Sequence, residues 1–202
     1  PAASTAPSMR GRLAIPSDGS PAHAALLAHQ GVVPAPVYGG QLQDMSNPGH
    51  APEARVRVSY SSVPVRFADG TQVELRQPRL EISRLAYGEL HPQTQLSARI
   101  APPMIGLGLL EAIPEDAILA NADPDDRNGD GIRGVANQVW DRAQQRTVLG
   151  RFGWKAGQPS LNQQNADAFA NDMGLTSAAN PQDNCSSAQA DCRAAVNGGE
   201  LE

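Results

Sequence analysis

Asp126-Arg127-Asn128-Gly129-Asp130-Gly131 places oxygen-bearing side chains on alternate residues. Calcium takes about six to eight hard oxygen ligands, and a loop that wraps the ion brings such side chains together. With Asp126 first, Asn128 stands third, Asp130 fifth and Gly131 sixth, where the turn needs a permissive backbone. The Ile132 carbonyl then falls seventh and Asn137 twelfth. The pattern departs from a calcium hand at three points. Asn137 replaces the bidentate Glu, the aliphatic residue sits at seven rather than eight, and Gly134-Val135 follow where a long helix belongs. Asp123 and Asp125 can add oxygens. The expectation is a structural calcium loop of low affinity. The plain alternative is an acidic surface turn closed by its own Asx hydrogen bonds.

Other reactive groups are sparse. The two cysteines, Cys185 and Cys192, are separated by the small polar run Ser186–Asp191, so a local disulfide is expected. Such a bridge suits an exported, oxidising environment. The four histidines, His23, His29, His50 and His91, form no HExxH or i,i+4 ligand pair and read as surface residues. No Gly-x-Ser-x-Gly elbow, phosphate loop or dinucleotide fingerprint is present. Covalent c-type haem needs Cys-x-x-Cys-His. Here six residues intervene between the cysteines and Arg193 follows the second.

The elements that must position these residues are short. Gly 19 and Pro 17 in 202 residues, with aromatics at 4%, predict many turns and irregular backbone. The net charge of −5 and the scattered Lys and Arg exclude a nucleic-acid stripe. No apolar run approaches the roughly 18 residues of a membrane span. The Pro-rich opening Pro1–Ser8 has no signal-peptide pattern and reads as a processed or excised start. Residues 1–52 show no lasting periodicity and read as an extended Pro/Gly-rich lead-in, with one short helix at Ala22–Ala28. Residues 53–202 read as an α+β core.

In that core Val56, Val58 and Tyr60, then Val65 and Phe67, then Val73 and Leu75 alternate as in half-buried strands. Asp69-Gly70 predicts a type I′ turn between the last two runs, and Leu80 and Ile82 extend the pattern. Met104–Ile113 predicts a buried helix behind Pro102-Pro103, and Pro114 starts a second with Glu115 and Asp116 in its first turn. Val139-Trp140 and Val148–Phe152 read as strands. Ser160-Leu161-Asn162-Gln163 predicts a capping box for a helix running to Met173, stopped by Gly174, with Leu161, Phe169 and Met173 on one face.

Four blocks then resemble a known family in their order. They are Arg99–Glu115 (RIAPPMIGLGLLEAIPE), Asp123–Asp141 (running from DPDD through GDGI to NQVWD), Leu149–Pro159 (LGRFGWKAGQP), and Asn171–Ser177 followed by Cys185 to Arg193. Phe67-Ala68-Asp69-Gly70 and Tyr87-Gly88 fit ahead of them. Together they resemble the bacterial di-haem oxidoreductases, also called thiol oxidoreductase-like and associated with peroxidase activity, over roughly residues 36–200.

The resemblance implies a periplasmic or otherwise exported protein with two c-type haems, electron transfer and peroxide reduction. It implies that the haem-attachment motifs lie in cytochrome c-like parts before and after a segment such as this. The expected partners are those haem-bearing regions of the same polypeptide, and a redox protein. Within the segment, Met104 is the candidate axial ligand. Trp154, with Trp140, is a candidate to line a haem edge, and Arg151 and Lys155 are candidates to pair with propionates. The reading is thus an α+β segment with a small antiparallel sheet, short helices and extensive irregular loops, stiffened by a calcium loop and a disulfide. The rival reading is a stand-alone exported calcium-stabilised binding module with no redox role.

Overall fold

The computed structural model describes residues 9–46, 49–101, 103–195 and 200–201. Pro1–Ser8 and Pro102, both used above, lie outside the described residues. The architecture is α+β, with small sheets, short helices and long connecting loops.

The stretch read as an extended lead-in carries more order than its composition predicts. Strand β1 (Met9–Ala14) lies at the centre of a three-stranded antiparallel sheet. On one side it pairs with β2 (Gln41–Leu42), on the other with β5 (Gln95–Ile100), in the register Gly11↔Leu42 and Leu13↔Leu96. Leu13, Ala35, Tyr38, Leu42 and Ala54 form the buried cluster. Periodicity missed it because Ala35 and Tyr38 come from an irregular loop and Leu42 from the two-residue strand β2, too short to show a pattern. Tyr38 is fixed there by donating its hydroxyl to Gly88 O at 2.6 Å and accepting from Tyr87 N–H at 3.1 Å.

Helix α1 (Pro21–Gln30) extends the short helix expected at Ala22–Ala28 by one residue before it and two after it. Ser20 Oγ accepts the His23 N–H, Pro21 needs no partner at the first turn, and Gly31 closes the helix in the left-handed region. His29 in its last turn packs against Trp140, ring centroids 4.5 Å apart and planes tilted by 43°.

Strands β3 (Arg55–Arg66) and β4 (Gln72–Ser83) fuse the predicted short runs into one continuous hairpin. Its tip is not the type I′ turn expected from Asp69-Gly70. Gly70 N–H donates to Phe67 O at 3.0 Å, Asp69 has no positive φ, and Gly70 alone is left-handed at φ +88°. The turn is centred on Ala68-Asp69 with a glycine bulge after it, and Asp69 caps the Thr71 N–H at 2.9 Å.

The predicted buried helix at Met104–Ile113 is corrected in both length and burial. Helix α2 covers only Leu107–Glu111 and buries none of its residues; Met104 precedes it in irregular chain. Gly106, left-handed at φ +81°, sets the late start. Helix α3 (Glu115–Leu119) begins after Pro114 as expected. Strands β6 (Gln138–Asp141) and β7 (Arg146–Leu149) form a second hairpin.

Helix α4 (Leu161–Ala168) continues as a wider π turn over Phe169–Met173 to the left-handed Gly174. Half of the predicted capping box forms. Ser160 Oγ accepts the Gln163 N–H, but the Gln163 side chain turns away to the Arg142 N–H and the Trp140 carbonyl. Ala166, not Leu161, Phe169 or Met173, is the residue α4 and its extension bury. Strand β8 (Thr176–Ser177) pairs in parallel with β9 (Glu200–Leu201), and helix α5 (Ala190–Ala194) lies between them in sequence.

Candidate functional site

Strand β7 ends at Leu149, and after Gly150 the chain folds back on itself. Phe152 N–H and Arg151 N–H both donate to Gln158 O, and Gln158 N–H returns to Phe152 O. Phe152 is 1% exposed and anchors the loop, while Gly153 at φ +78° turns Trp154 outward. Gly150 must be glycine. A Cβ there would lie 1.9 Å from the Ala156 carbonyl oxygen, and 3.1 Å from Val139 Cγ1.

Two of the sequence candidates meet at this loop. The Arg151 guanidinium donates Nη1 to Ile113 O at 2.5 Å and to Glu111 O at 3.3 Å. These carbonyls lie at and just beyond the end of α2, where a helix leaves acceptors unpaired and favours a cation. Glu111 in turn accepts the Leu161 N–H at 2.9 Å, so the same few residues tie α2 to the start of α4. Trp154 donates Nε1 to Ile100 O at 2.8 Å and leaves its ring 70% exposed.

Leu107, Leu110, Arg151, Phe152, Gly153 and Trp154 enclose a cavity of about 140 Å³. Pockets that enclose small molecules run to roughly 300–1,000 Å³. The site is therefore an apolar notch for a side chain or a ring edge, with one guanidinium at its wall. Met104, Ile105 and Leu109 stand exposed nearby in the chain, Ile105 at 96%. Met104 and Lys155 do not line the notch; Lys155 is exposed, and its carbonyl accepts Asn137 Nδ2. Leu107, Leu110 and Phe152 were not singled out from the sequence. For Leu107 and Leu110 the one signal was the apolar run on either side of Gly108, read there as helix core.

The acidic loop is closed at its base by reciprocal Asp123–Gly134 backbone bonds of 2.8 and 3.0 Å. The Asp123 carboxylate accepts the Arg127 N–H at 2.9 Å and the Asn128 N–H at 3.4 Å, which holds it below the usual carboxylate range. Asp126 accepts the Gly131 N–H, Asn128 donates to Asp130 at 3.0 Å, and Asp130 accepts the Ile132 N–H at 2.8 Å. The loop thus gathers Asp126, Asn128 and Asp130. Asn137 goes elsewhere: its Nδ2 donates to the Lys155 and Ala156 carbonyls, both at 3.0 Å. Among the described residues no group of three or more His, Cys, Asp or Glu side chains gathers in a metal-holding arrangement.

The expected disulfide is formed, with Cys185 and Cys192 Cα atoms 5.8 Å apart. Its loop latches onto the core. Ser186 Oγ donates to Val37 O at 2.5 Å, and Gln189, buried, donates Nε2 to the buried Glu53 carboxylate. Glu53 also accepts the Gln43 N–H at 2.7 Å. Burial pushes the Glu53 carboxyl up, against the pull of these hydrogen bonds. This polar junction spans 136 residues of sequence and has no local signature.

A family model described as "Di-haem oxidoreductase, putative peroxidase" matches residues 12–194. The chain belongs to the di-haem oxidoreductase family. No curated protein and no solved structure matches it. Membership makes haem the implied cofactor, and this chain's residues do not fit its covalent attachment. Both cysteines are spent on each other, and no Cys-x-x-Cys-His occurs. Of the histidines, His23 accepts the Asp18 N–H through Nδ1, His91 Nδ1 accepts the Gln93 N–H, and His29 packs at a tilt against Trp140. This chain's own cysteines therefore offer haem no thioether bond.

Proposed function

We propose that this chain is the haem-free structural middle of an exported, periplasmic di-haem c-type oxidoreductase that transfers electrons and reduces peroxide. It packs between haem-bearing regions of the same polypeptide and holds their relative position. A redox protein supplies the electrons. The observation that carries the reading is the family match over residues 12–194 in a chain whose cysteines are already bridged. The notch at Arg151 and Trp154 supports it further, because an exposed indole and apolar rim beside a guanidinium suit an apolar, anionic edge such as a haem with its propionates. Lys155 adds a second cation next in sequence to Trp154. Met104, exposed in irregular chain, is free to reach a group brought against this face. Calcium at Asp126, Asn128, Asp130 and the Ile132 carbonyl belongs to the same proposal as a stiffening ion.

The test uses the full-length, haem-loaded gene product. Arg151→Ala and Trp154→Phe are expected to shift the reduction potential of one haem while leaving the haem content at two. Met104→Leu is expected to change the low-spin spectrum of that haem. Potentials and spectra unchanged in all three variants would remove this face from the haem environment. The rival, a calcium-stabilised binding module, would then be favoured if the gene product also matured without haem.

A further inference from the structure

A second cavity, of about 310 Å³, lies between the α2–α3 junction and strand β7. Its volume falls at the lower end of the range of roughly 300–1,000 Å³ found for small-molecule sites. The notch described above is apolar; this cavity is walled by charged side chains and by the backbone of a sheet edge.

Four charged side chains of the wall have no counter-ion. Glu111 ends α2 and Glu115 opens α3, while Arg146 opens β7 and Arg151 follows Gly150. Among the described residues none of the four is ion-paired. Arg146 donates Nε and Nη2 to Gln144 Oε1, and Arg151 donates Nη1 to the Glu111 and Ile113 carbonyls, all neutral acceptors. Glu111 accepts the Leu161 N–H through Oε1, and its second oxygen is open, as is the whole Glu115 carboxylate. The third carboxylate of the wall, Asp141, is already engaged by the Ala143 and Gln144 N–H groups and by the Gln144 amide. Two carboxylates and two guanidiniums thus share one cavity without pairing with each other.

The backbone adds a second, independent feature. Strand β7 pairs with β6 alone. Gly150 N–H donates to Asn137 O at 2.8 Å, and Gln138 stands opposite Leu149. The bonded pairs of this antiparallel ladder are therefore 137–150, 139–148 and 141–146, which turns the N–H and C=O of Thr147 and Leu149 away from β6. Among the described residues those groups meet no partner. Arg151, next in the outward series, gives its N–H to Gln158 O at 2.8 Å. Gln158 thus closes the edge at one end, and Pro159, with no N–H to donate, stops the ladder there. Beyond it the open edge at Thr147 and Leu149 lines the cavity.

We propose that this cavity binds a short extended peptide with both termini charged, of dipeptide size. A volume of about 310 Å³ is roughly 7 Å across, which holds about two extended residues at about 3.4 Å each. The peptide's amide completes the open edge of β7, as in strand addition. Its carboxylate meets the guanidiniums of Arg146 and Arg151, and its ammonium meets Glu111 and Glu115. A free peptide suits the site better than a passing strand, because Gln158–Ser160 closes one end. The proposal does not depend on haem. Glu115 and Arg146 lie outside the notch, so substitutions there leave the proposed haem face intact.

Isothermal titration calorimetry of the full-length gene product with the dipeptide alanyl-valine, at low salt, tests it. The expected dissociation constant is about 1 mM or tighter, the affinity that about a dozen heavy atoms give at ordinary efficiency. The N-acetylated dipeptide lacks the ammonium and the C-amidated one lacks the carboxylate; each is expected to bind at least about tenfold more weakly, the fold-change of losing one charge-assisted contact. Glu115→Gln and Arg146→Gln are each expected to weaken alanyl-valine by a similar factor at an unchanged melting temperature, since both side chains are exposed. Arg79→Gln, on β4 and away from the cavity, is expected to bind like the wild type. No heat of binding with the wild type overturns the proposal. So does full affinity for either blocked dipeptide, which needs no variant to fold, or full affinity in the Glu115 or Arg146 variant.

Discussion

Gly150→Ala is the sharpest test of how the notch is held. The new Cβ would sit 1.9 Å from Ala156 O and 3.0 Å from its carbonyl carbon. Carbon and oxygen need about 3.4 Å or more to avoid repulsion, so the 153–156 loop must retreat by about 1.5 Å. That movement strains the bond from Asn137 Nδ2 to Ala156 O and the return from Gln158 N–H to Phe152 O. Overpacking costs about 1–3 kcal/mol, and the two hydrogen bonds lost add about 1 kcal/mol each, for a total near 3–5 kcal/mol. Urea unfolding followed by tryptophan fluorescence reads this directly. With a slope of about 2 kcal/mol/M the midpoint is expected to fall by about 1.5–2.5 M at unchanged slope. Gly157→Ala is the control, because nothing lies within 4 Å of a Cβ built there and its φ is not positive. It is expected to change stability by less than about 0.5 kcal/mol. Equal midpoints for the two variants would refute the reasoning.

Three further outcomes are expected. Replacing Cys185 and Cys192 by Ser removes a bridge seven residues apart; the chain-entropy cost of about 2.5 kcal/mol lowers the melting temperature by about 5–10 °C, and an unchanged temperature would contradict it. Glu53→Ala leaves the buried Gln189 amide and the Gln43 N–H without their acceptor, costing about 2–4 kcal/mol. Because burial raises the folded pKa of Glu53 above its unfolded value, its contribution is complete below the unfolded pKa and is lost as pH rises through the folded one. The wild type is therefore expected to exceed the variant most in acid, and a gap that widens with rising pH would be the wrong sign. Calcium at about ten times its dissociation constant is expected to stabilise by about 1.4 kcal/mol, a rise of about 3–6 °C that Asp126→Asn abolishes; identical melting in calcium and chelator would leave the loop a plain Asx turn.

What the sequence made legible is what local chemistry specifies. Pro114 starts α3, the Ser160 cap opens α4, and the alternation from Val56 to Ile82 builds a hairpin, because each rests on neighbours within a turn or two. The disulfide was legible for the same reason. Met104–Ile113 was misread because apolar composition does not report burial: Gly106 delays the helix, and α2 buries none of its residues. The core was hidden for the opposite reason. Ala35 and Tyr38 come from a non-periodic loop and Leu42 from the two-residue strand β2, in a sheet completed by pairing of β1 with β5, more than eighty residues away. At the notch, Arg151 and Trp154 were found by resemblance. Their geometry depends on Ile100, Glu111 and Ile113, at sequence distances no motif encodes. Asn137 shows the limit of counting positions. The twelfth residue of the loop is drawn away by two carbonyls of the Gly150–Ala156 fold-back.

The central claim is that this chain serves a di-haem oxidoreductase while attaching no haem itself. The measurement that tests it most directly is the visible spectrum and intact mass of the full-length gene product, expressed in a host that matures c-type haem. The account predicts a Soret band and a mass increase of two haems, with none of the haem mass on peptides from residues 1–202. A colourless protein at the apo mass, from a host shown to mature a control cytochrome, would contradict it.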